Sequence, residues 1–98
     1  MFIVLLKFSD DTSQARELAA AHGEWIRQGL EDGIFLLVGS LQPRLGGGVL
    51  AHRTTLAELE ARVSADPFVA HGVVRAEILE LIPSKGDARL DFLLHSGS

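Results

Sequence analysis

A chain of 98 residues and 10.6 kDa is expected to form one domain with a marginal core, yet 47% of it is hydrophobic and its mean hydropathy is +0.23. It holds no cysteine, which excludes disulfide staples and cysteine-ligated zinc or iron–sulfur clusters. Its net charge of −4, from nine basic and thirteen acidic residues, argues against nucleic acid as a partner, because phosphate binding needs a basic patch. The apolar excess then belongs to a membrane, to an unusually well packed core, or to a second face buried against another subunit. The apolar run over residues 2–6 is far short of the ~20 residues of a spanning helix and of a signal-peptide core. A membrane partner is therefore not expected, and the chain is read as cytoplasmic.

Residues 2–8 read as a first strand, apolar on both faces. The polar stretch Ser9, Asp10, Asp11, Thr12 and Ser13 offers several N-caps. A helix is predicted over residues 13–31, with Leu18, Ala21 or His22, Trp25, Ile26 and Leu30 at helical spacing, stopped by Asp32-Gly33. Residues 34–41 form a second two-faced apolar strand, and residues 42–47 a loop. Residues 48–53 form a third strand, paired with the second as a hairpin. Thr54 or Thr55 caps a helix over residues 56–64. Asp66-Pro67 opens a short helical turn through Ala70, with Asp at the N-cap and Pro at the first helical position. A fourth strand covers residues 73–82. Residues 83–87 break the chain, residues 90–94 add a short strand or docking segment, and residues 96–98 fray.

The order β-α-β-β-α-β is the split βαβ, ferredoxin-like arrangement of the α+β class, with both helices on one face of a four-stranded antiparallel sheet. Neighbouring strand residues alternate sides, so Leu5, Leu6, Leu36, Leu37, Leu79 and Leu81 cannot all lie beneath the helices. A bare apolar sheet face is rare on a monomer. The expected resolution is a homodimer with sheet face against sheet face, a dimeric α/β barrel-like assembly.

His22 lies one turn from Leu18 and close to Trp25 and Ile26, so it faces the sheet. There it serves either as an acid or base near neutral pH or as a packed histidine whose nitrogens bond to backbone or solvent. Asp66 is either a plain N-cap or a carboxylate that orients an imidazole and stabilises the imidazolium. His71, at the end of the same turn, completes a formal two-His-one-carboxylate set with them. The set comes from distant segments, and no metal is expected. His52 and His95 read as solvated. Gly46-Gly47-Gly48 has the composition of a phosphate loop but lacks the following Lys and Ser/Thr and opens a strand, so it reads as a flexible hairpin loop.

The segment Ala65-Asp66-Pro67-Phe68-Val69-Ala70-His71-Gly72-Val73 resembles the Asp-Pro-Phe/Tyr segment of the YCII-related family of small dimeric ferredoxin-like proteins. His22 sits where that family has its own histidine. Gly39-Ser40-Leu41 is similar to its Gly-Pro-Leu, with Ser40 in place of Pro. The resemblance covers residues 1–83, leaving residues 84–98 as a C-terminal extension. It implies a cleft between the first helix, the sheet and the Asp-Pro turn, with a His–Asp pair as active site. It also implies a fold similar to that of muconolactone isomerase, and kinship with proteins that break down aromatic compounds, dehydrochlorination of hydroxylated chloroaromatics among their reactions.

The expectation is a cofactor-independent lyase or isomerase that moves a proton on a small polar organic molecule. His22 is the general acid/base and Asp66 holds its tautomer. Trp25, Leu41 and Phe68 wall the pocket, with His71 beside them, and Ser40 or Arg44 binds a polar substituent. The alternative is a non-catalytic small-ligand-binding or structural homodimer in which the same pair is a buried hydrogen bond.

Overall fold

The computed structural model describes residues 1–95. The expected frayed end, residues 96–98, and the His95 side chain lie outside the described residues. The elements run β1 (Phe2–Phe8), α1 (Ala15–Glu31), β2 (Phe35–Leu41), β3 (Gly46–Ala51), α2 (Leu56–Ser64), α3 (Pro67–Ala70), β4 (Val74–Glu80), a 3-10 turn at Ala88–Leu90, and α4 (Asp91–His95). The strands lie in the order β2-β3-β1-β4, every neighbouring pair antiparallel. This is the ferredoxin-like split βαβ sheet, with β1 and β3 in the centre.

Strand alternation sorts the apolar residues into two layers. Phe2, Val4 and Leu6 of β1 join Phe35, Val49, Ala51 and Val74 in the core, under Leu59 and Val63 of α2 and Phe68 of α3. The opposite face carries Ile3, set between Leu50 and Leu79, and Leu37, set against Leu50. Leu37 is 62% exposed and Leu79 46%. A β-bulge between Phe35 and Leu37 lets β2 place both Phe35 and Val38 against the core.

The helices are set by their ends and by one close approach. Asp11 Oδ1 accepts the Ser13 N–H at 3.0 Å, which holds the polar turn out of the helix, so α1 starts at Ala15 rather than at residue 13. It stops where Gly33 takes φ 74°, a left-handed stop that favours glycine. Gly29 is the buried residue of α1, whereas Leu30, expected in the apolar stripe, is half-exposed. A Cβ at Gly29 would sit 2.2 Å from the Phe35 ring, so the helix and β2 meet across a missing side chain. Thr55 and Glu58 form a capping box at α2: Thr55 Oγ1 accepts the Glu58 N–H at 3.1 Å, and Glu58 Oε1 accepts the Thr55 N–H at 3.0 Å.

Two segments differ from the sequence expectation. Gly46 and Gly47 belong to β3, paired with Lys7 and Leu6 on one side and with Leu41 and Ser40 on the other, rather than to a flexible loop. Residues 90–94 are helical instead of a strand, because Asp87 Oδ1 accepts the Arg89 N–H at 2.9 Å and starts a 3-10 turn. That tail sets Phe92 edge-on to His52, ring centroids 6.0 Å apart, so His52 is partly covered rather than solvated. Among the described residues, no helix is long and apolar enough to cross a membrane.

Candidate functional site

His22 and Asp66 are 44 residues apart in sequence, and the packing of α1 on α3 brings them together: His22 Nδ1 lies 2.7 Å from Asp66 Oδ1. Asp66 is entirely buried. As the N-cap of α3 its Oδ1 also accepts the Phe68 N–H at 3.1 Å. One oxygen therefore does both jobs that the Asp-Pro sequence allowed. An oxygen already accepting from a backbone N–H is matched by a donor at Nδ1, and that tautomer leaves the Nε2 edge of the ring as acceptor. The second oxygen, Oδ2, is buried with no partner among the described residues.

The ring is fixed from its faces as well as its edge. It stacks on Phe68 with centroids 4.0 Å apart and planes 4° from parallel, and Trp25 lies 5.9 Å away at 23°. Trp25 is itself anchored, its Nε1–H donating to the Arg62 carbonyl at 2.9 Å and its ring edge-on to Phe35. Asp66 and Phe68, two residues apart on one short turn, thus hold one imidazole by edge and by face.

His22 borders a cavity of about 300 Å³ between α1, α3 and the helix-side face of the sheet. Leu6, Ile26, Val38, Val49 and Phe68 give it apolar walls, Ser40 supplies a hydroxyl, and Gly46-Gly47-Gly48 form one wall from backbone alone. No charged side chain lines it among the described residues.

The residues expected around the pocket do not all gather there. His22, Ser40 and Phe68 line the cavity. Trp25 backs His22 but faces a separate groove between α1 and α2. Leu41, next to Ser40 on a strand, lies on the opposite sheet face beside Leu5 and Leu37. Arg44 is exposed in the β2–β3 turn with φ 51°. His71 is the exposed C-cap of α3, and no group of three His, Cys, Asp or Glu side chains able to hold a metal occurs among the described residues. The cavity residues that sequence reading left unnamed as pocket lining are the apolar residues Leu6, Phe8, Ile26, Val38, Val49 and Val74 and the glycines. The i+4 spacing of Ile26 from His22, and alternation from Ser40 back to Val38, point to two of its walls.

Comparison with known proteins gives a family and a fold. The YCII-related domain matches residues 1–82. A structural neighbour is the 5-chloro-2-hydroxyhydroquinone dehydrochlorinase of Burkholderia phenoliruptrix AC1100, solved in complex with 2,5-dihydroxybenzoquinone. It superposes with a TM-score of 0.68 at 16% identity, over 82% of this chain and 91% of the neighbour. No curated protein matches. The match across most of its length, on the ferredoxin-like sheet just described, makes the chain a member of the YCII-related domain family.

Proposed function

We propose that the chain is a cofactor-independent lyase that eliminates a leaving group from a small hydroxylated ring, with His22 as the general base and Asp66 as its orienting partner. The observation that carries the reading is the 2.7 Å contact between His22 Nδ1 and the buried Asp66, made by a histidine that borders a cavity. In the proposed reaction Nε2 removes a hydroxyl proton from the substrate. Asp66 stabilises the imidazolium so formed. The imidazolium gives that proton to the ring carbon that bears the leaving group, which becomes tetrahedral. Nε2 then takes a second hydroxyl proton, and the leaving group departs with its bonding electrons as the ring becomes a quinone, so no electron acceptor is required.

The lining supports an uncharged substrate. An anion brought into a cavity with apolar walls and no cationic side chain loses its hydration without a replacement partner. Hydroxyl groups, in contrast, find Ser40 and His22. The structural neighbour acts on a trihydroxylated chloroaromatic ring and was solved with a dihydroxybenzoquinone, and both are flat oxygenated six-membered rings. The working form is proposed to be a homodimer, closed over the face that exposes Leu37 and Leu79.

A thermal-shift screen of phenolic acids, lactones and chlorinated hydroquinones on wild type and His22→Gln tests the reading. Glutamine keeps an N–H for the buried Asp66 but cannot take a proton. A hit among the uncharged hydroxylated rings, with product formed by wild type and not by His22→Gln, is the expected outcome. Full turnover by the variant would remove His22 from the chemistry.

A further inference from the structure

We propose that Gly47 is a specificity-determining residue of the His22 cavity: its missing side chain makes the room in which a flat ring lies against His22 and Phe68. The inference rests on the cavity being a ring-binding site, as proposed above, and adds which residue sets its size. Three consecutive glycines meet there, and they are not equivalent.

Gly46 is required by the backbone. Its φ is +134°, and a Cβ on it would sit 2.0 Å from the Leu6 carbonyl oxygen, so no other residue fits. Gly48 stands opposite Leu5 in β1, and a Cβ on it would touch the Leu41 side chain at 3.4 Å, on the sheet face away from His22. Gly47 has neither constraint. Its φ lies outside the left-handed region, and the nearest atom to a Cβ built on it is the Gly39 carbonyl oxygen at 3.5 Å, an ordinary contact. The fold therefore tolerates a side chain at residue 47.

The direction that side chain would take is fixed by register. Gly47 stands opposite Leu6 on one side and Ser40 on the other. Residues directly opposite in an antiparallel sheet share a face, and Leu6 is buried on the helix side. A Cβ at residue 47 thus enters the cavity that His22, Phe68 and Ser40 line. Glycine within a strand forgoes packing and costs chain entropy. At Gly47, unlike Gly46, no backbone need offsets that cost, and the space left is cavity. Each methylene added to an apolar pocket changes discrimination between substrates by roughly 10- to 200-fold.

The test uses the full chain and two flat probes of different size that are uncharged near neutral pH, chlorohydroquinone and phenol, titrated by calorimetry into wild type, Gly47→Ala and Gly47→Val. Thermal melts of these and of Gly46→Ala run in parallel. The expected result is wild-type-like melting for Gly47→Ala, a clear loss for Gly46→Ala, and stepwise weakening of the larger probe by about tenfold or more at valine. Phenol should weaken less, so the ratio of the two affinities changes. Equal affinities across the series would overturn the proposal, as would melting of Gly47→Ala as low as that of Gly46→Ala. Wild type binding neither probe would overturn both this inference and the ring-binding reading. Binding without turnover would fault the reaction alone and leave the role of Gly47 standing.

Discussion

The His22 imidazole lies flat on the Phe68 ring, centroids 4.0 Å apart and planes 4° from parallel, while the N-cap two residues before Phe68 holds the same imidazole by its Nδ1 edge. The Asp66 cap and the four-residue turn it opens, Pro67–Ala70, thereby set both the tilt and the rotation of one ring. Positioning of this kind is what lets a base act without first paying to be ordered.

Phe68→Leu tests the face contact. Leucine keeps an apolar group in the core but gives no plane to stack on, and aromatic stacking contributes about 0.5–1.5 kcal/mol beyond area burial. The variant is expected to fold, with stability lower by about 1–2 kcal/mol in urea titration. Its kcat should fall more than its KM rises, because the misdirected base acts in the transition state. A change confined to KM would make Phe68 a wall of the pocket and nothing more.

Gly29→Ala tests how α1 is held over the sheet. A Cβ there meets the Phe35 ring at 2.2 Å, so the helix or the ring must move, and overpacking of this kind costs about 1–3 kcal/mol. A lower midpoint in chemical denaturation is expected even though alanine is the better helix former. A gain in stability would mean that α1 packs less closely on β2 than described.

Leu37→Glu tests the proposed assembly. Leu37 faces Leu50 on the open side of the sheet and is 62% exposed, far from the core. A charge there is expected to leave the fold intact and turn a dimer into a monomer in sedimentation at micromolar concentration. Wild type sedimenting as a monomer would refute the face-to-face dimer directly.

His52 gives a pH dependence with a definite sign. Burial holds its imidazole below the ordinary value of 6.5. Arg53 and the terminal ammonium act in the same direction, and the nearby Gly33 backbone opposes them. The folded chain then binds fewer protons at this site than the unfolded chain does. Its contribution to stability is complete above pH 6.5 and is lost as pH falls from there through the lowered folded value. Melting temperatures of wild type and His52→Asn, compared at pH 7 and pH 5, should differ in slope, the wild type losing more on acidification. Parallel slopes would mean that the Phe92-covered imidazole is not desolvated.

What the chain revealed before its structure was unequal. The strands were legible because runs such as residues 2–8 are apolar on both faces, and the turn at Asp66-Pro67 because cap and first-turn preferences coincide there. The start of α1 was not, since five polar residues in a row each offer a cap and only the Asp11 contact with Ser13 decides among them. The tail reads as strand or docking segment from Leu90, Phe92, Leu93 and Leu94, and its helical turn depends on the Asp87 cap, three residues before Leu90. Within the site, Ser40 and Leu41 were both expected at the pocket, though adjacent strand residues face opposite ways, and it is Ser40 that lines the cavity. The glycines were unreadable as cavity wall because loop and close approach have the same composition. Pairing with Leu6, a tertiary fact, separates them.

The central claim is that His22 and Asp66 move a proton as a unit, and chloride release from the chlorinated hydroquinone that the thermal-shift screen identifies measures it most directly. Wild type, His22→Gln and Asp66→Asn are compared at equal folded fraction. Asparagine can still cap α3 through its side-chain oxygen, so the fold is expected to survive with a loss of about 1–2 kcal/mol. Without the carboxylate the imidazolium loses its partner, and general acid–base catalysis is worth about 10²–10⁴ in rate. The account predicts chloride release by wild type, a drop of about 100-fold or more in each variant, and no further drop in the double variant. Folded variants that release chloride at the wild-type rate would contradict it.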